Sequence, residues 1–387
     1  MIPIGRRVPL PVPPAHPGPP GHPAAGPGVA LPIVDRSWDV LGQPVRGVDG
    51  RYAPLAWRLT QTDTDAFVVV HAGRVVTQWY RSDAARTAPQ AIMSITKSII
   101  GCVAGRLIDA GTLDPEAPAT RYVPELASGG YAPVRVRDLL DMRVGGLGYH
   151  EEYGDPAGEL ARMARTVDGS PVGYGLHDLV AGIGWPATPG GPFCYRSLDT
   201  EALGWVLERA AGTTVSALVS DLLTRVGTTG PVDVAVDLYG TMQSSGGLGM
   251  TALDLARFGL MLLRGGAAGD RQVVSAGFIK DTRTGAPDST AAFAARVQRA
   301  LAHTDVEIDT LRTGLYRNQF WVPRPAGRAL LCLGIHGQYL LVDPDTDCVV
   351  VKLSSWRTPQ DPGRFSDSLE CAGVAAIRMA DHDPHPQ

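Results

Sequence analysis

A serine and a lysine three positions apart, Ser94 and Lys97, are the residues of this 387-residue chain whose types and spacing are suited to chemistry. In a helix, side chains at that spacing lie on one face, one turn from each other. Near the start of a helix, free backbone N–H groups and the positive end of the dipole favour a developing negative charge. A serine placed there, with a lysine one turn later, can act as a nucleophile that the lysine activates.

The segment that must position this pair is apolar nearly all round. Residues 91–111 read AIMSITKSIIGCVAGRLIDAG, which predicts a helix buried in the centre of a domain. Burying an unpaired ammonium costs several kcal/mol or lowers its pKa until it neutralises. Lys97 is therefore expected either to face a cleft or to be a tuned base. Taken alone, the pair leaves a plain alternative open, in which Ser94 only caps the helix and the spacing arises by chance.

Two further polar stretches lie on other predicted elements. Residues 193–197, FCYRS, form a loop just before a predicted helix over 199–211. Residues 331–338, LCLGIHGQ, are a predicted strand that runs into glycines. Each has an ordinary explanation by itself: a half-buried tyrosine in the first stretch, and a β-turn between core strands in the second.

The remaining elements predict an α/β (α+β) fold. Residues 66–71 and 74–80 are rich in β-branched and aromatic side chains and form a hairpin with its turn at Ala72-Gly73. Further strands are predicted near the other end of the chain, at 318–322, 329–334, 339–342 and 348–353. The helices are predicted mainly in between, at 134–142, 199–211, 215–226 and 252–264, with a last one at 365–379. Because the strands lie at the two chain ends, we expect one antiparallel sheet built from both ends and flanked by helices, plus a mostly helical lobe.

These elements divide the chain into four predicted regions. Residues 1–32 contain eleven prolines and are expected to be a disordered segment. The sheet domain is expected to comprise 33–125 plus 255–380, and the helical lobe 126–254. Residues 381–387 are expected to be a tail.

Composition excludes several classes of function. The net charge of −4 is spread over interspersed acidic and basic residues, which disfavours nucleic acid as a partner. The five cysteines show no Cys-x-x-Cys pair and no metal-ligand spacing, so we expect no metal, no disulfide framework and a reducing compartment. No apolar run reaches the ~18–20 residues of a membrane span, and prolines interrupt any signal-peptide core. A cytoplasmic location without membrane partners is therefore expected, while the oligomeric state is not indicated.

Together and in this order, the three polar stretches resemble the motifs of the serine β-lactamase and penicillin-binding-protein superfamily. Ser94-x-x-Lys97 is similar to its nucleophile motif, Tyr195-Arg196-Ser197 to its Tyr-x-Asn/Ser motif, and the strand at 332–335 to its third motif. The match is to the class C-like branch, with 6-aminohexanoate-dimer hydrolases and related esterases nearest. The stretches at 139–142, 152–156 and 334–338 also resemble that branch. The resemblance covers roughly residues 60–380 and implies a β-lactamase-like, transpeptidase-like fold.

The resemblance also implies roles for individual residues. Ser94 Oγ would attack a carbonyl carbon, and Lys97 and Tyr195 would share the proton that Ser94 loses. The backbone N–H groups of Ser94 and Ile335 would form the oxyanion hole. Substrate contacts would come from three residues, Tyr153, Gly334 and His336. No cofactor is implied, and the expected partner is a small-molecule acyl donor, with an amine acceptor as an option.

Two departures from the family pattern bear on the substrate. Cys332 stands where β-lactamases and cell-wall peptidases usually carry a lysine that helps to bind a substrate carboxylate, which argues against β-lactam or stem-peptide substrates. The acidic and tryptophan residues expected after Tyr153 in nylon-oligomer enzymes are not evident, and Arg162, Arg165 and Asp168 stand there instead. A substrate with a free amine tail is therefore disfavoured, and an anionic one is allowed.

The sequence thus predicts an enzyme that forms an acyl-enzyme on serine and hydrolyses a small amide or ester. The alternative is a transacylase of the same fold, in which an amine or alcohol takes the acyl group. Chemistry up to the acyl-enzyme is the same for both, and the difference depends on whether the site admits water or excludes it. A non-catalytic binding protein is the third reading.

Overall fold

The computed structural model describes residues 6–11, 31–33, 39–147, 149, 151–184, 186–301, 313–323 and 328–381. Its helices are α1 Leu55–Gln61, α2 Asp83–Thr87, α3 Ile95–Asp109, α4 Val136–Leu140, α5 Glu159–Val167, α6 Leu176–Ala181, α7 Ser197–Ala211, α8 Val215–Val226, α9 Ala252–Leu263, α10 Ala276–Thr284, α11 Ser289–Leu301 and α12 Pro362–Asp381. Its strands are β1 Arg7–Pro9, β2 Pro44–Arg46, β3 Tyr52–Pro54, β4 Thr64–His71, β5 Arg74–Tyr80, β6 Gln90–Ala91, β7 Val144–Gly145, β8 Thr188–Pro189, β9 Asp233–Ala235, β10 Leu248–Met250, β11 Ala267–Ala268, β12 Arg271–Gln272, β13 Leu315–Arg317, β14 Phe320–Val322, β15 Leu330–Gly334, β16 Gln338–Asp343 and β17 Cys348–Ser354.

The main sheet joins the two ends of the chain, as the strand pattern predicts. Its order is β13-β14-β15-β16-β17-β4-β5, and every neighbouring pair is antiparallel. The hairpin between β4 and β5 turns at Ala72 and Gly73, whose φ angles of 48° and 73° are both positive. Positive φ at both central residues is typical of the tight turn that matches the twist of two antiparallel strands. The predicted α/β fold, with its sheet built from both chain ends, is confirmed.

The predicted strand over 318–322 is wrong at its first two residues. Asn318 and Gln319 form the turn between β13 and β14, with φ angles of 51° and 70°. Both side chains are buried and bonded inside the molecule: Asn318 Nδ2 donates to Asp281, and Gln319 Nε2 donates to the carbonyl oxygen of Leu139. These buried partners, distant in sequence, hold a turn where the local pattern predicts a strand.

Helices pack on both faces of the main sheet. On one face, α1 and α12 cover a cluster that includes Leu55, Phe67, Val350 and Cys371. On the other face lies the larger core, in which α3 is buried from Ile95 to Gly105 and packs against α7, α8 and β15. This core runs continuously from the sheet into the helical region, and the proposed domain boundaries stay a prediction. No helix in the described ranges is long and apolar enough to cross a membrane.

Part of the segment predicted to be disordered is a strand. Arg7–Pro9 pairs with β9 in a second sheet of order β1-β9-β10-β6. The Arg7 guanidinium donates to Asp233 Oδ1 at 2.6 Å and to the carbonyl oxygen of Gly247 at 2.9 Å, which anchors the strand. The prediction is therefore wrong for Arg7–Pro9, because a specific ion pair adds to the ladder at a sheet edge where proline is tolerated. Residues 12–30 and the predicted tail after Asp381 lie outside the described residues.

Candidate active site

A sharp turn delivers Ser94 to the start of the central helix. Strand β6 pairs with β10, and the backbone N–H of Ile92 donates to the carbonyl oxygen of Leu248 at 3.0 Å. Met93 then takes a positive φ of 48°, and Ser94 is the last residue before α3. A methionine with positive φ is uncommon and requires support from its surroundings, which the β6–β10 pairing provides. The turn leaves Ser94 half-buried, whereas the helix that follows is buried.

Lys97 lies directly beside Ser94 in a fully buried position. Its Nζ is 2.8 Å from Ser94 Oγ, 2.7 Å from the carbonyl oxygen of Ser245 and 3.2 Å from Ser197 Oγ, and its exposed fraction is 1%. Burial lowers the pKa of Lys97 to about 8, although the carboxylates of Glu151 and Glu201 act in the opposite direction. Near neutral pH, this lysine can therefore both release and accept a proton.

Tyr195 closes the other side of Ser94. Its phenol shares a hydrogen bond with Ser94, and Lys97 Nζ lies 5.0 Å from the centre of its ring. The ring stacks on Trp321 at 5.4 Å and meets Tyr316 edge-on at 6.1 Å. Burial raises the pKa of Tyr195 above its ordinary value of 10.0, so the phenol stays protonated at neutral pH. The sequence-predicted trio of Ser94, Lys97 and Tyr195 is thus brought together.

Glu151 is a member of the site that the sequence interpretation missed. Its carboxylate accepts the hydroxyl of Ser197 at 2.5 Å and the backbone N–H of Ser197 at 2.8 Å, at the start of α7. It also accepts the phenols of Tyr149 at 2.5 Å and Tyr153 at 3.3 Å. The run of two glutamates between two tyrosines at 149–153 is the available signal, but it does not indicate which carboxylate turns inward.

Glu201 is a second carboxylate that the sequence interpretation missed, and it supports the backbone that contacts Lys97. It is buried on α7 and accepts the backbone N–H groups of Ser244 at 3.0 Å and Ser245 at 2.9 Å. Burial raises the pKa of Glu201, while the hydrogen bonds from Ser245 oppose that shift. The carboxylate holds the 244–245 backbone so that the Ser245 carbonyl oxygen reaches Lys97. Because α7 carries other charged residues as well, Asp199 and Glu208 among them, no sequence signal singles out Glu201.

Strand β15 passes close to the turn that carries Ser94. A Cβ atom added at Gly334 would lie 2.7 Å from the carbonyl oxygen of Ile92 and 3.0 Å from the Cβ of Met93, so only glycine fits without displacement. Among the residues that the structure describes, neither the backbone N–H of Ser94 nor that of Ile335 donates a hydrogen bond. Both donors of the predicted oxyanion hole are therefore unpaired with described groups.

His336 and Tyr153, which the sequence predicts to contact the substrate, both bond to other groups of the protein. His336 is 8% exposed, has a φ of 62°, and places Nδ1 2.6 Å from the carbonyl oxygen of Trp356. Burial lowers the pKa of His336. Tyr153 is half-buried and donates to Glu151, as described above. Their contact with a substrate stays a prediction.

The residues at the positions that depart from the family pattern have other partners in the structure. Cys332 is buried, and burial raises the pKa of its thiol to about 12, opposed by a hydrogen bond with Ser98 of α3. On α5, Arg162 lies over the Tyr174 ring at 5.5 Å, and Arg165 donates to the carbonyl oxygen of Pro156 at 2.9 Å. Asp168 accepts the backbone N–H of Ser170 at 2.8 Å.

Comparisons with curated proteins identify one relative that matches most of the chain and another that matches about a third of it. The 6-aminohexanoate-dimer hydrolase of Paenarthrobacter ureafaciens is 35% identical over 328 residues, which cover 82% of this chain and 80% of that protein. Esterase EstB of Burkholderia gladioli is 33% identical over 140 residues, which cover 34% of this chain and 35% of that protein. Both relatives are named as hydrolytic enzymes.

Solved structures share the fold. A Bacillus anthracis protein provisionally described as a 6-aminohexanoate-dimer hydrolase superposes with a TM-score of 0.79 at 24% identity, covering 98% of this chain and 91% of that chain. A penicillin-binding protein from Bacillus halodurans superposes with a TM-score of 0.60 at 17% identity, covering 84% and 99%.

The family described as Beta-lactamase matches residues 57–369, a range that contains both ends of the main sheet and the whole arrangement around Ser94. This match covers well over half of the chain and agrees with the 35% identity to the dimer hydrolase. The chain therefore belongs to the beta-lactamase family.

Proposed function

We propose that this protein is a serine hydrolase that forms an acyl-enzyme on Ser94 and hydrolyses a small amide or ester. The observation that carries the proposal is the 2.8 Å contact between Lys97 Nζ and Ser94 Oγ, made by a lysine whose pKa burial lowers to about 8. A nucleophilic serine needs an adjacent base that is populated at working pH, and this lysine meets both conditions.

The contacts around Lys97 suit its neutral form. A neutral amine has two N–H donors and one lone pair. The Ser245 carbonyl oxygen and the Ser197 hydroxyl oxygen can accept the two donors, which leaves the lone pair for the proton of Ser94. Ser197 is free to accept because its own proton goes to Glu151. The lysine can thus be held in place while it takes the proton from Ser94.

The protonated form is also accommodated. After proton transfer, Lys97 carries a positive charge and three N–H donors, with three oxygens around it. The carboxylates of Glu151 and Glu201 stabilise that charge from two sides. A base that is satisfied in both protonation states can cycle without moving, which lowers the reorganisation that each turnover requires.

The reaction can then be written from the residues of the site. Ser94 Oγ attacks the substrate carbonyl carbon, and its proton passes to Lys97. The backbone N–H groups of Ser94 and Ile335 stabilise the resulting oxyanion, and each such donor is worth roughly 3 kcal/mol. The C–N or C–O bond breaks, and the departing amine or alcohol takes a proton from Tyr195, which Lys97 replenishes. Water then attacks the ester of Ser94, and the same groups act in reverse.

The surroundings of the site favour substrates that need no carboxylate anchor on β15. Cys332 and Leu333 occupy the part of that strand where a cation would be required, and Cys332 is buried against α3. The relatives' names, a dimer hydrolase and an esterase, support water as the acyl acceptor. Small amides and esters are therefore proposed as the substrate class.

Release of nitrophenolate from p-nitrophenyl acetate and butyrate tests this proposal, with mass spectrometry of the intact protein. We expect a burst, a mass increase on the peptide that contains Ser94, and continued turnover in water. Ser94→Ala should abolish all three. Ser98→Ala is the matched control, because Ser98 lies on the same helix but donates to the carbonyl oxygen of Gln319.

Two results would contradict the hydrolase assignment. Full turnover by the Ser94→Ala protein would exclude the serine nucleophile. An acyl-enzyme that persists in water and is released only by added primary amines, with amide as product, would make the protein a transacylase.

A further inference from the structure

The turn formed by residues 335–337 presents the Ile335 N–H that the proposed mechanism uses. Beneath it lies Gln338, the first residue of β16, with an exposed fraction of 2%. The Gln338 side-chain amide donates to the carbonyl oxygens of Ser354 at 2.8 Å, His336 at 3.0 Å and Ile335 at 3.4 Å. Its oxygen accepts the backbone N–H of Ser354 at 3.1 Å. Every polar atom of this carboxamide is therefore bonded to backbone.

The side chain of Gln338 replaces backbone hydrogen bonds that are lost where the β15–β16 ladder ends. The pairing of β15 with β16 ends at Gly334 and Gln338, and the backbone of the turn leaves the sheet there. Buried carbonyl oxygens without partners would be costly, so the carboxamide substitutes for the missing strand partner and ties the turn to Ser354 of β17. Because it bonds the carbonyl groups of Ile335 and His336, it fixes the two peptides that follow the Ile335 N–H, while the ladder pair of Gly334 with Gln338 holds the residue before it.

Trp356 holds the same turn from a second direction. His336 Nδ1 lies 2.6 Å from the Trp356 carbonyl oxygen, and the backbone N–H of Trp356 donates to the His336 carbonyl oxygen at 3.3 Å. The turn requires glycine at 337, where φ is 85° and an added Cβ would collide with the indole ring. The indole is itself fixed, since its Nε1–H donates to the Thr62 carbonyl oxygen at 2.7 Å.

We infer that Gln338 and His336 are positioning residues that fix the oxyanion-hole N–H of Ile335. This inference rests on the proposed function, and it assigns His336 a role different from the substrate contact predicted from sequence. A substrate contact would alter KM or substrate preference. A positioning residue alters the strength of the interaction with the carbonyl oxygen, and with it kcat.

The Gln338→Met variant tests the inference, because methionine keeps the length of the side chain and removes its hydrogen bonds. We expect kcat for p-nitrophenyl acetate to fall about ten- to a hundredfold with KM within about twofold, since a misaligned donor forfeits part of the roughly 10²–10³ that an oxyanion donor contributes. Infrared spectra of the acyl-enzyme made with a ¹³C-carbonyl ester should show the ester carbonyl stretch at higher frequency, because weaker hydrogen bonds polarise it less. Val350→Ala is the control. Val350 lies on β17 in the cluster under α12, so the substitution weakens the packing of the same strand without changing a residue that contacts the turn.

His336→Asn is the second variant, because asparagine tolerates positive φ and lacks the imidazole. The same fall in kcat and the same frequency shift are expected. Folded variants with the wild-type kcat and carbonyl frequency would overturn the inference, as would a change confined to KM. If one variant fails to fold, the other variant decides. Loss of the fold in both variants would overturn the inference, because the two residues would then be required only for folding. Absence of any acyl-enzyme in the wild-type protein would instead overturn the proposed function, and this inference with it.

Discussion

Glu151 accepts both hydrogen-bond donors of Ser197, the hydroxyl at 2.5 Å and the backbone N–H at 2.8 Å. Ser197 in turn lies 3.2 Å from Lys97 Nζ, so the carboxylate is connected to the proposed base through one hydroxyl. This arrangement directs the Ser197 oxygen towards Lys97 as an acceptor. It also places a negative charge close enough to raise the pKa of Lys97 against the effect of burial.

The first prediction concerns Glu151→Gln. Removing the carboxylate removes an influence that raises the pKa of Lys97, so this pKa should fall below its wild-type value of about 8. Acylation needs neutral Lys97, and kcat/KM should rise with pH through that pKa. The rising limb of the profile should therefore move to lower pH in the variant, with p-nitrophenyl acetate as substrate. Glu152→Gln, at the neighbouring exposed glutamate, should leave the limb in place. A limb that stays unchanged or moves to higher pH in Glu151→Gln would contradict the assigned electrostatics.

The second prediction concerns the phenol of Tyr195. Tyr195→Phe keeps the ring stacked on Trp321 and removes only the hydroxyl that bonds with Ser94. We expect kcat to fall about 10²–10⁴-fold, the usual contribution of a general acid or base, with the melting temperature nearly unchanged.

Tyr316→Phe makes the same chemical change in the adjacent ring, which meets Tyr195 edge-on, and should retain most of the activity. Equal losses in the two variants would contradict a specific role for the Tyr195 hydroxyl.

The residues found from sequence differ from the missed ones in how locally they are determined. Ser94 and Lys97 share one helix turn, so their spacing alone predicts their proximity. Glu151 reaches Ser197 across 46 positions, and only the three-dimensional path of the loop selects it over Glu152. The turn at Asn318 was missed for the same reason, because its side-chain partner Asp281 lies 37 positions away.

The third prediction concerns Lys352, a buried lysine outside the site. It lies between the rings of Trp356 at 5.4 Å and Tyr339 at 5.8 Å, and its Nζ donates to Ser354 Oγ at 2.6 Å. Burial lowers its pKa from 10.5 to about 7. Between these two values, the unfolded chain binds more protons than the folded protein. The free energy of unfolding should therefore rise with pH across this interval, and below it this lysine should add no pH dependence.

The Lys352→Met variant isolates that effect. It lacks the titrating group but keeps the contribution of Lys97, whose lowered pKa has the same sign. Urea unfolding at several pH values should show that the stability of the wild-type protein relative to Lys352→Met increases from about pH 7 towards pH 10. A difference that is constant over this range would mean that Lys352 does not titrate in it.

The last prediction compares two glycine-to-alanine changes. Gly373 lies in α12 with no atom within 4 Å of an added Cβ, so Gly373→Ala should stabilise the fold by about 0.5–1 kcal/mol. At Gly334, the new Cβ would lie 2.7 Å from the Ile92 carbonyl oxygen and 3.0 Å from the Met93 Cβ, so β15 must shift away from the turn before Ser94. Gly334→Ala should therefore cost about 1–3 kcal/mol of stability. It should also lower kcat, because the shift separates the Ile335 N–H from the nucleophile. If Gly334→Ala lost stability but kept the wild-type kcat in the folded protein, the approach of β15 to Ser94 would be a packing requirement without a catalytic one.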